Sequence, residues 1–408
     1  MNFIIYFLYQ FIFWYPLVMS MCWIIGGILF YFRREKKEEK DLKEHPLVSI
    51  LIPCYNEEKT IEETIEKLDK LNYENYELIA INDGSKDRTD EILDNLADKY
   101  EKLRIIQLRT NSGKANALYL GLIASKGEYI VGLDADAYLD KDALNYMIPH
   151  FIAPNYGERV GAVTGNPRVR NRSSLLAKIQ LCEFSSIISL IKRTQRLLGK
   201  VMTVSGVVVA FRKRALIDCG LWDRDLITED IGVTWKLQKR FWDVRYEPKA
   251  LCYMLVPETL SGLWKQRVRW AQGGMEVILR HYDILFSKKY RRLFPIFFEQ
   301  IFSILWAIIW TIFFIITAIQ SILGKKSFLD FFWQGQYLAL LCLLQFLVAM
   351  LLDKRYDENL MKYYLWAIWY PIFYWYINAF IVIRALIKIL TKKKNLKFAT
   401  WDSPDRGL

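Results

Sequence analysis

The stretch Glu128-Tyr129-Ile130-Val131-Gly132-Leu133-Asp134-Ala135-Asp136 decides the fold. A short apolar run of strand length ends abruptly in two carboxylates separated by one residue. An isolated pair of this kind reads as an acidic surface turn. Placed at the carboxyl end of a strand, however, the two side chains can point to one side of the backbone. There they can share a hard divalent cation with diphosphate oxygens.

Working outward, short apolar runs alternate with helical periodicity. Leu47 to Pro53 reads as a buried strand, followed by a helix to about Lys70, capped by Asn56 with Glu57 and Glu58 in its first turn. Glu77 to Ile81 and Leu103 to Leu108 predict further strands, with helices over Thr89 to Tyr100 and Lys114 to Ala124. Such alternation predicts an α/β fold, a parallel sheet covered on both faces with ligands at the carboxyl ends of its strands. Beyond a strand at Val160 to Val163 the pattern weakens. Two or three helices are expected between Leu175 and Lys239, then an amphipathic region with Trp264, Arg267, Arg269 and Trp270.

Of 408 residues, 53% are hydrophobic and 25% charged, too apolar for a purely soluble enzyme and too charged for membrane spans alone. The apolar residues cluster: residues 1–32, 300–324, 331–352 and 363–383 contain no charged side chain. Each is long enough to cross a hydrocarbon core of ~30 Å. This divides the chain into an N-terminal span (1–32), a catalytic block (33–299), a region of about three spans (300–390) and a basic tail (391–408). The net charge of +12 does not point to nucleic acid, because Arg33, Arg34, Lys36 and Lys37 follow the first span and Lys392 to Lys394 the last. By the positive-inside rule the block is cytosolic, in a multi-pass protein of the plasma membrane. The first span lacks the basic start and cleavage site of a signal peptide and is expected to stay as an anchor. Three simple crossings after the block put the tail outside; its lysines favour the cytosol, with Pro371 bending the last segment. Six cysteines without CxxC pairing and three scattered histidines indicate neither zinc nor a disulfide framework.

Three further motifs give the carboxylate pair its context: Asn82-Asp83-Gly84-Ser85, Thr228-Glu229-Asp230 and Gln266-Arg267-Val268-Arg269-Trp270. In that order, with spans on both sides, they resemble the processive, inverting glycosyltransferases of family 2, which include cellulose, chitin and hyaluronan synthases. The resemblance runs from about Val48 to Gly274 and departs at Asn82, where many relatives carry another Asp. It implies a GT-A, nucleotide-sugar-binding fold and an Mg²⁺ or Mn²⁺ cofactor. Asp136 is the first choice as metal ligand, with Asp134 on the metal or on the donor. Pro53, Tyr55, Asn56, Glu57 and Asp83 are expected to hold uridine. Lys114 either contacts the nucleotide or is a solvated helix residue.

By family position Asp230 is the catalytic base, oriented by Glu229. Arg269 binds the departing diphosphate, Trp270 faces the acceptor sugar, and Gln266 is a further substrate-binding residue. Thr228-Glu229-Asp230 also reads as a helix start with acids in its first turn. Thr203 to Gly206 lies either near the acceptor or in a buried strand. Residues 161–168, 256–274 and 399–407 are similar to the branch that polymerises N-acetylglucosamine. That implies UDP-GlcNAc as donor, a growing β-1,6-linked poly-N-acetylglucosamine chain as acceptor, and a small accessory membrane protein as partner in the lipid bilayer. Other β-glycan synthases of the family share the motifs, so the motifs fix the reaction type and not the sugar. A non-catalytic sugar-nucleotide sensor would have no use for a base. Trp306, Trp310, Trp333, Trp366, Trp369 and Trp375 either line a sugar path through the membrane or anchor the spans at its interfaces.

Overall fold

Eight strands form one sheet: β1 (Val48–Cys54), β2 (Tyr76–Asp83), β3 (Leu103–Leu108), β4 (Tyr129–Gly132), β5 (Ala137–Leu139), β6 (Val160–Val169), β7 (Val209–Arg212) and β8 (Asp243–Met254). In the computed structural model, residues 3–36, 44–324 and 329–391 are described, with side chains omitted at 329–334. Lys37, the Lys392 to Lys394 cluster, the motif at 399–407 and the side chain of Trp333 lie outside them.

The sheet order is β3-β2-β1-β4-β7-β6-β8-β5. Strands β3, β2, β1 and β4 are parallel, and β1 and β2 are buried at every position, as expected where helices cover both faces. The expectation of a wholly parallel sheet is corrected beyond β4. There β7 runs antiparallel to both β4 and β6, and β5 antiparallel to β8. Neither β7 nor β8 was anticipated. β7 is only four residues long, and β8 carries Asp243, Arg245, Glu247 and Lys249 on its half-exposed face while burying the alternate positions.

Asn56 is not a helix cap. The helix after β1 begins at Ile61 with Thr60 preceding it. Asn56 sits instead at φ 56°, a left-handed conformation that asparagine tolerates. Its amide donates to Ser85 Oγ (2.9 Å) and its side-chain oxygen accepts from Lys86 N (2.8 Å), tying the turns after β1 and β2 together.

Among the described residues four helices are long and apolar enough to cross a bilayer, in Phe3–Glu35, Lys288–Ile322, Gly335–Tyr356 and Tyr370–Thr391. The first docks on the catalytic block through Gly26 and Gly27. A Cβ on Gly26 would stand 2.4 Å from Thr194 Cγ2, and Thr194 Oγ1 donates to Trp23 O (2.9 Å). The charge-free stretch 363–383 is not one helix. It is broken into Leu360–Ile368, Tyr370–Tyr374 and Trp375–Thr391, with the break at Pro371, whose missing N–H interrupts the ladder. Helix Trp375–Thr391 packs on the amphipathic helix Leu260–Arg280 and on helix Phe294–Ile322.

Candidate active site

The carboxyl ends of β1, β2 and β4 lie side by side because these strands pair in parallel. At the end of β2, Asp83 is fully buried, and its two oxygens accept from Ser112 N (2.9 Å) and Gly113 N (2.8 Å). Burial raises its pKa, and these two amides oppose the shift. Asp83 thereby fixes the turn from which helix Lys114–Ala124 departs. Pro53 pairs with Ile81 within the sheet, and Tyr55 and Glu57 are buried, the Glu57 amide donating to Thr89 Oγ1 (2.8 Å).

The loop after β4 is pinned by Thr64 Oγ1, which donates to Ala135 O (2.9 Å). This fixes Asp134 beside Lys114, with the buried Asp136 two residues on. Lys114 is not a solvated helix residue. Its Nζ lies 2.5 Å from Asp134 and 3.1 Å from Glu229, linking the carboxylate pair to the Thr228-Glu229-Asp230 turn. Burial works against the charged amine, but the Asp134 and Glu229 carboxylates more than offset it and raise its pKa.

Helix Glu229–Lys239 starts after Thr228, whose side chain makes no capping bond. Asp230 Oδ1 accepts from Ile231 N (2.9 Å) and Oδ2 from Gly206 N (3.3 Å), so the loop 203–206 grips the carboxylate and is not a strand. Burial, with the neighbouring Glu229 charge, pushes Asp230 up to about 6, against the opposing pull of Lys114. Opposite stands helix Leu260–Arg280. It approaches closely at Gly273, where a Cβ would meet Thr228 Oγ1 at 2.0 Å.

A cavity of about 540 Å³ joins these parts, lined by Lys114, Asp134, Asp136, Glu229, Asp230, Gln266, Arg269 and Trp270. Pro53, Tyr55, Asn56, Glu57 and Asp83 are not in its wall. Among the described residues the buried Thr228 Oγ1 and Gln266 Oε1 have no hydrogen-bond partner, leaving two polar atoms for a polyhydroxylated ligand. Arg269 is half-buried and forms no ion pair among the described residues.

Sequence reasoning missed three features. Arg267 pairs with buried Glu183 (2.6 Å) and stacks 4.3 Å from the Trp270 ring, fixing that ring in place. Burial raises the Glu183 pKa, and Arg267 opposes the shift. Lys192, lowered to about 7 by burial against the pull of Asp230, donates to Ser205 Oγ (2.5 Å) in the same cavity. Finally, the cavity runs on to Tyr15 and Trp23 of the first span and to Glu299, Gln300 and Ser303 of the second. Among the described residues the tryptophans on its wall are Trp23 and Trp270, and none of Trp306, Trp310, Trp366, Trp369 and Trp375, which could either line a sugar path or anchor the spans. Trp306 instead donates to Ile12 O (2.9 Å) and stacks on Trp310. Only proximity in the fold reveals these features, apart from Arg267, which sits inside the Gln266 to Trp270 motif.

A GT-A-like sheet with these carboxylates at its strand ends is the architecture of a nucleotide-sugar glycosyltransferase, and the chain belongs to glycosyl transferase family 2, whose model matches residues 49–220. It is 45% identical over 98% of both chains to the poly-β-1,6-N-acetyl-D-glucosamine synthase of Staphylococcus epidermidis. The synthase of Staphylococcus aureus shows the same identity and coverage. A solved mannosyltransferase from Pyrobaculum calidifontis, in complex with GDP-Man and Mn²⁺, shares the fold, with TM-score 0.64 and 20% identity over 94% of this chain and all of that one.

Proposed function

We propose that the chain polymerises N-acetylglucosamine from UDP-GlcNAc into a β-1,6-linked glycan. The observation that carries this reading is the joint cavity, which brings Asp230, the Asp134 and Asp136 pair, Arg269 and Trp270 together. The sugar and linkage rest on the 45% identity to the staphylococcal synthases. In-line attack by the acceptor hydroxyl on the anomeric carbon forms the β-linkage as the bond to the diphosphate breaks, and UDP leaves. Asp230 takes the hydroxyl proton; a carboxylate near 6 is ionised at neutral pH yet basic enough for the task. Glu229 and Lys114 orient it. Arg269 holds the departing diphosphate, and Trp270 offers its face to the acceptor sugar.

Among the described residues no group of three or more Asp, Glu, His or Cys could hold a metal unaided. This suits a cation bound by two carboxylates and completed by substrate phosphates. Asp136 and Asp134 would hold Mg²⁺ or Mn²⁺, which would neutralise the diphosphate as it departs. Asp83 and the turn Pro53 to Glu57, outside the main cavity wall, form the nucleotide end through the Ser112 to Lys114 turn that Asp83 anchors. The catalytic block faces the cytosol, where UDP-sugars are made, and a small accessory membrane protein is the expected partner.

Purified protein supplied with UDP-GlcNAc alone should release UDP and form polymer, stop in excess chelator, and resume on adding Mg²⁺ or Mn²⁺. Asp136→Ala should weaken donor binding. A requirement for a second sugar nucleotide would contradict the homopolymer, and undiminished turnover in chelator would remove the metal assignment.

A further inference from the structure

Away from the reaction centre, a second cavity of about 250 Å³ opens between the far end of helix Glu229–Lys239 and the approach to the second span. It is lined by Lys236, Lys239, Arg240, His281, Lys289 and Tyr290. Two of its cations are already neutralised. Lys236 pairs with Asp223 (2.9 Å) and donates to Gly220 O and Leu221 O, and Lys239 is held by Asp283 at 2.7 and 2.9 Å. Among the described residues no carboxylate pairs with Arg240 or Lys289, so two positive charges are left over. Both are exposed, Lys289 lying over the Phe241 and Tyr290 rings.

His281 points to what the pocket takes. It is only 6% exposed, stacked on Trp235, and its Nδ1 faces the Lys239 ammonium at 3.5 Å. An ammonium only donates, so Nδ1 presents its lone pair and the imidazole hydrogen sits on Nε2. Among the described residues that buried Nε2 has no partner. A donor without an acceptor, in a pocket that also carries two unpaired cations, calls for an anionic oxygen.

The rim says where the anion comes from. Phe241, Leu279, Tyr282 and Phe286, each within three positions of a lining residue, are exposed, Phe286 to 82%, and Lys288 to Leu293 lead straight into the second span. Exposed apolar and aromatic side chains interleaved with Lys and Arg at a span entrance are the composition of a surface lying in the headgroup layer.

We propose that this pocket binds the phosphodiester headgroup of an anionic phospholipid, with Arg240, Lys289 and the His281 Nε2 hydrogen on its oxygens and the acyl chains beside Phe241 and Phe286. The bound lipid sits at one end of the helix whose other end carries Asp230.

Native mass spectrometry of the full chain, titrated with phosphatidylglycerol, tests the site. Arg240→Ala with Lys289→Ala should weaken retention by about fivefold per charge removed. Lys288→Ala with Arg291→Ala removes the same charge from neighbouring exposed positions outside the pocket and should leave retention near the parental level. Equal loss in both double variants would mean diffuse attraction to the surface and overturn the site. Inorganic phosphate is the second arm. If it binds with the same dependence on Arg240 and Lys289 and displaces the lipid at matched concentration, the ligand is a soluble phosphate and the headgroup assignment fails. Unchanged circular dichroism excludes misfolding as the cause.

Discussion

Asp230 shows how burial and two hydrogen bonds prepare a single carboxylate. In the folded protein it holds its proton to about 6, against about 4 for an ordinary aspartate, because burial and Glu229 outweigh Lys114. Two consequences follow, with opposite links to pH. As the proposed base it must be ionised, so kcat/KM should fall below about pH 6, with an acid limb that disappears in Asp230→Asn. For stability, the native state binds the proton more tightly than the unfolded chain. Ionisation of Asp230 therefore lowers stability as pH rises from about 4 to 6. Asp230→Asn should lose about 10²- to 10⁴-fold in rate while UDP binding, followed by isothermal titration, stays near the parental value. Parental turnover in this variant would exclude Asp230 as the base. The residue was legible from the sequence as part of a motif. Its partner at Gly206 was not, because the contact joins a helix start to a loop 24 residues earlier in the chain.

At the scale of elements, the site depends on how closely helix Leu260–Arg280 approaches the turn at Thr228. Gly273 permits that approach. Gly273→Ala should push the two apart, lowering polymerisation at least tenfold with little change in donor affinity, since Asp134 and Asp136 are carried by the loop after β4, held separately by Thr64. Equal loss of donor binding would show that the change had spread through the fold. The parallel half of the sheet was readable because buried parallel strands are continuous apolar runs bounded by turns. The antiparallel half was not. β8 hides its buried alternation among charged residues that face outward, and in β7 four residues give too short a pattern. The helix start assigned to Asn56 failed for a similar reason: its side chain serves the neighbouring turn after β2, a contact invisible in local sequence.

Across the whole molecule, a buried ionic network binds the catalytic block to the spans. Arg193 pairs with Glu35 at the end of the first span (2.8 Å) and with Asp353 at the end of the third (2.8 Å), while Arg168 of β6 also reaches Asp353 (2.7 Å). All four side chains are essentially sealed from solvent. Removing one partner strands the others, so Arg193→Ala should cost about 3–5 kcal/mol and speed proteolytic separation of the block from its anchors. An unchanged unfolding midpoint would show that the network does not couple them. The spans themselves were legible from charge-free runs. Their junction was not, because its charged residues lie far apart in sequence and read as ordinary solvated ends. The central claim is that the cavity at Asp230 builds a β-1,6-linked N-acetylglucosamine polymer. Its most direct test is to supply radiolabelled UDP-GlcNAc to the purified chain and to Asp230→Asn, then digest the products. Polymer should form from the parent alone, degraded by a β-1,6-N-acetylglucosaminidase and resistant to chitinase and hyaluronidase. Polymer from Asp230→Asn, or a parental product cut by chitinase, would contradict it.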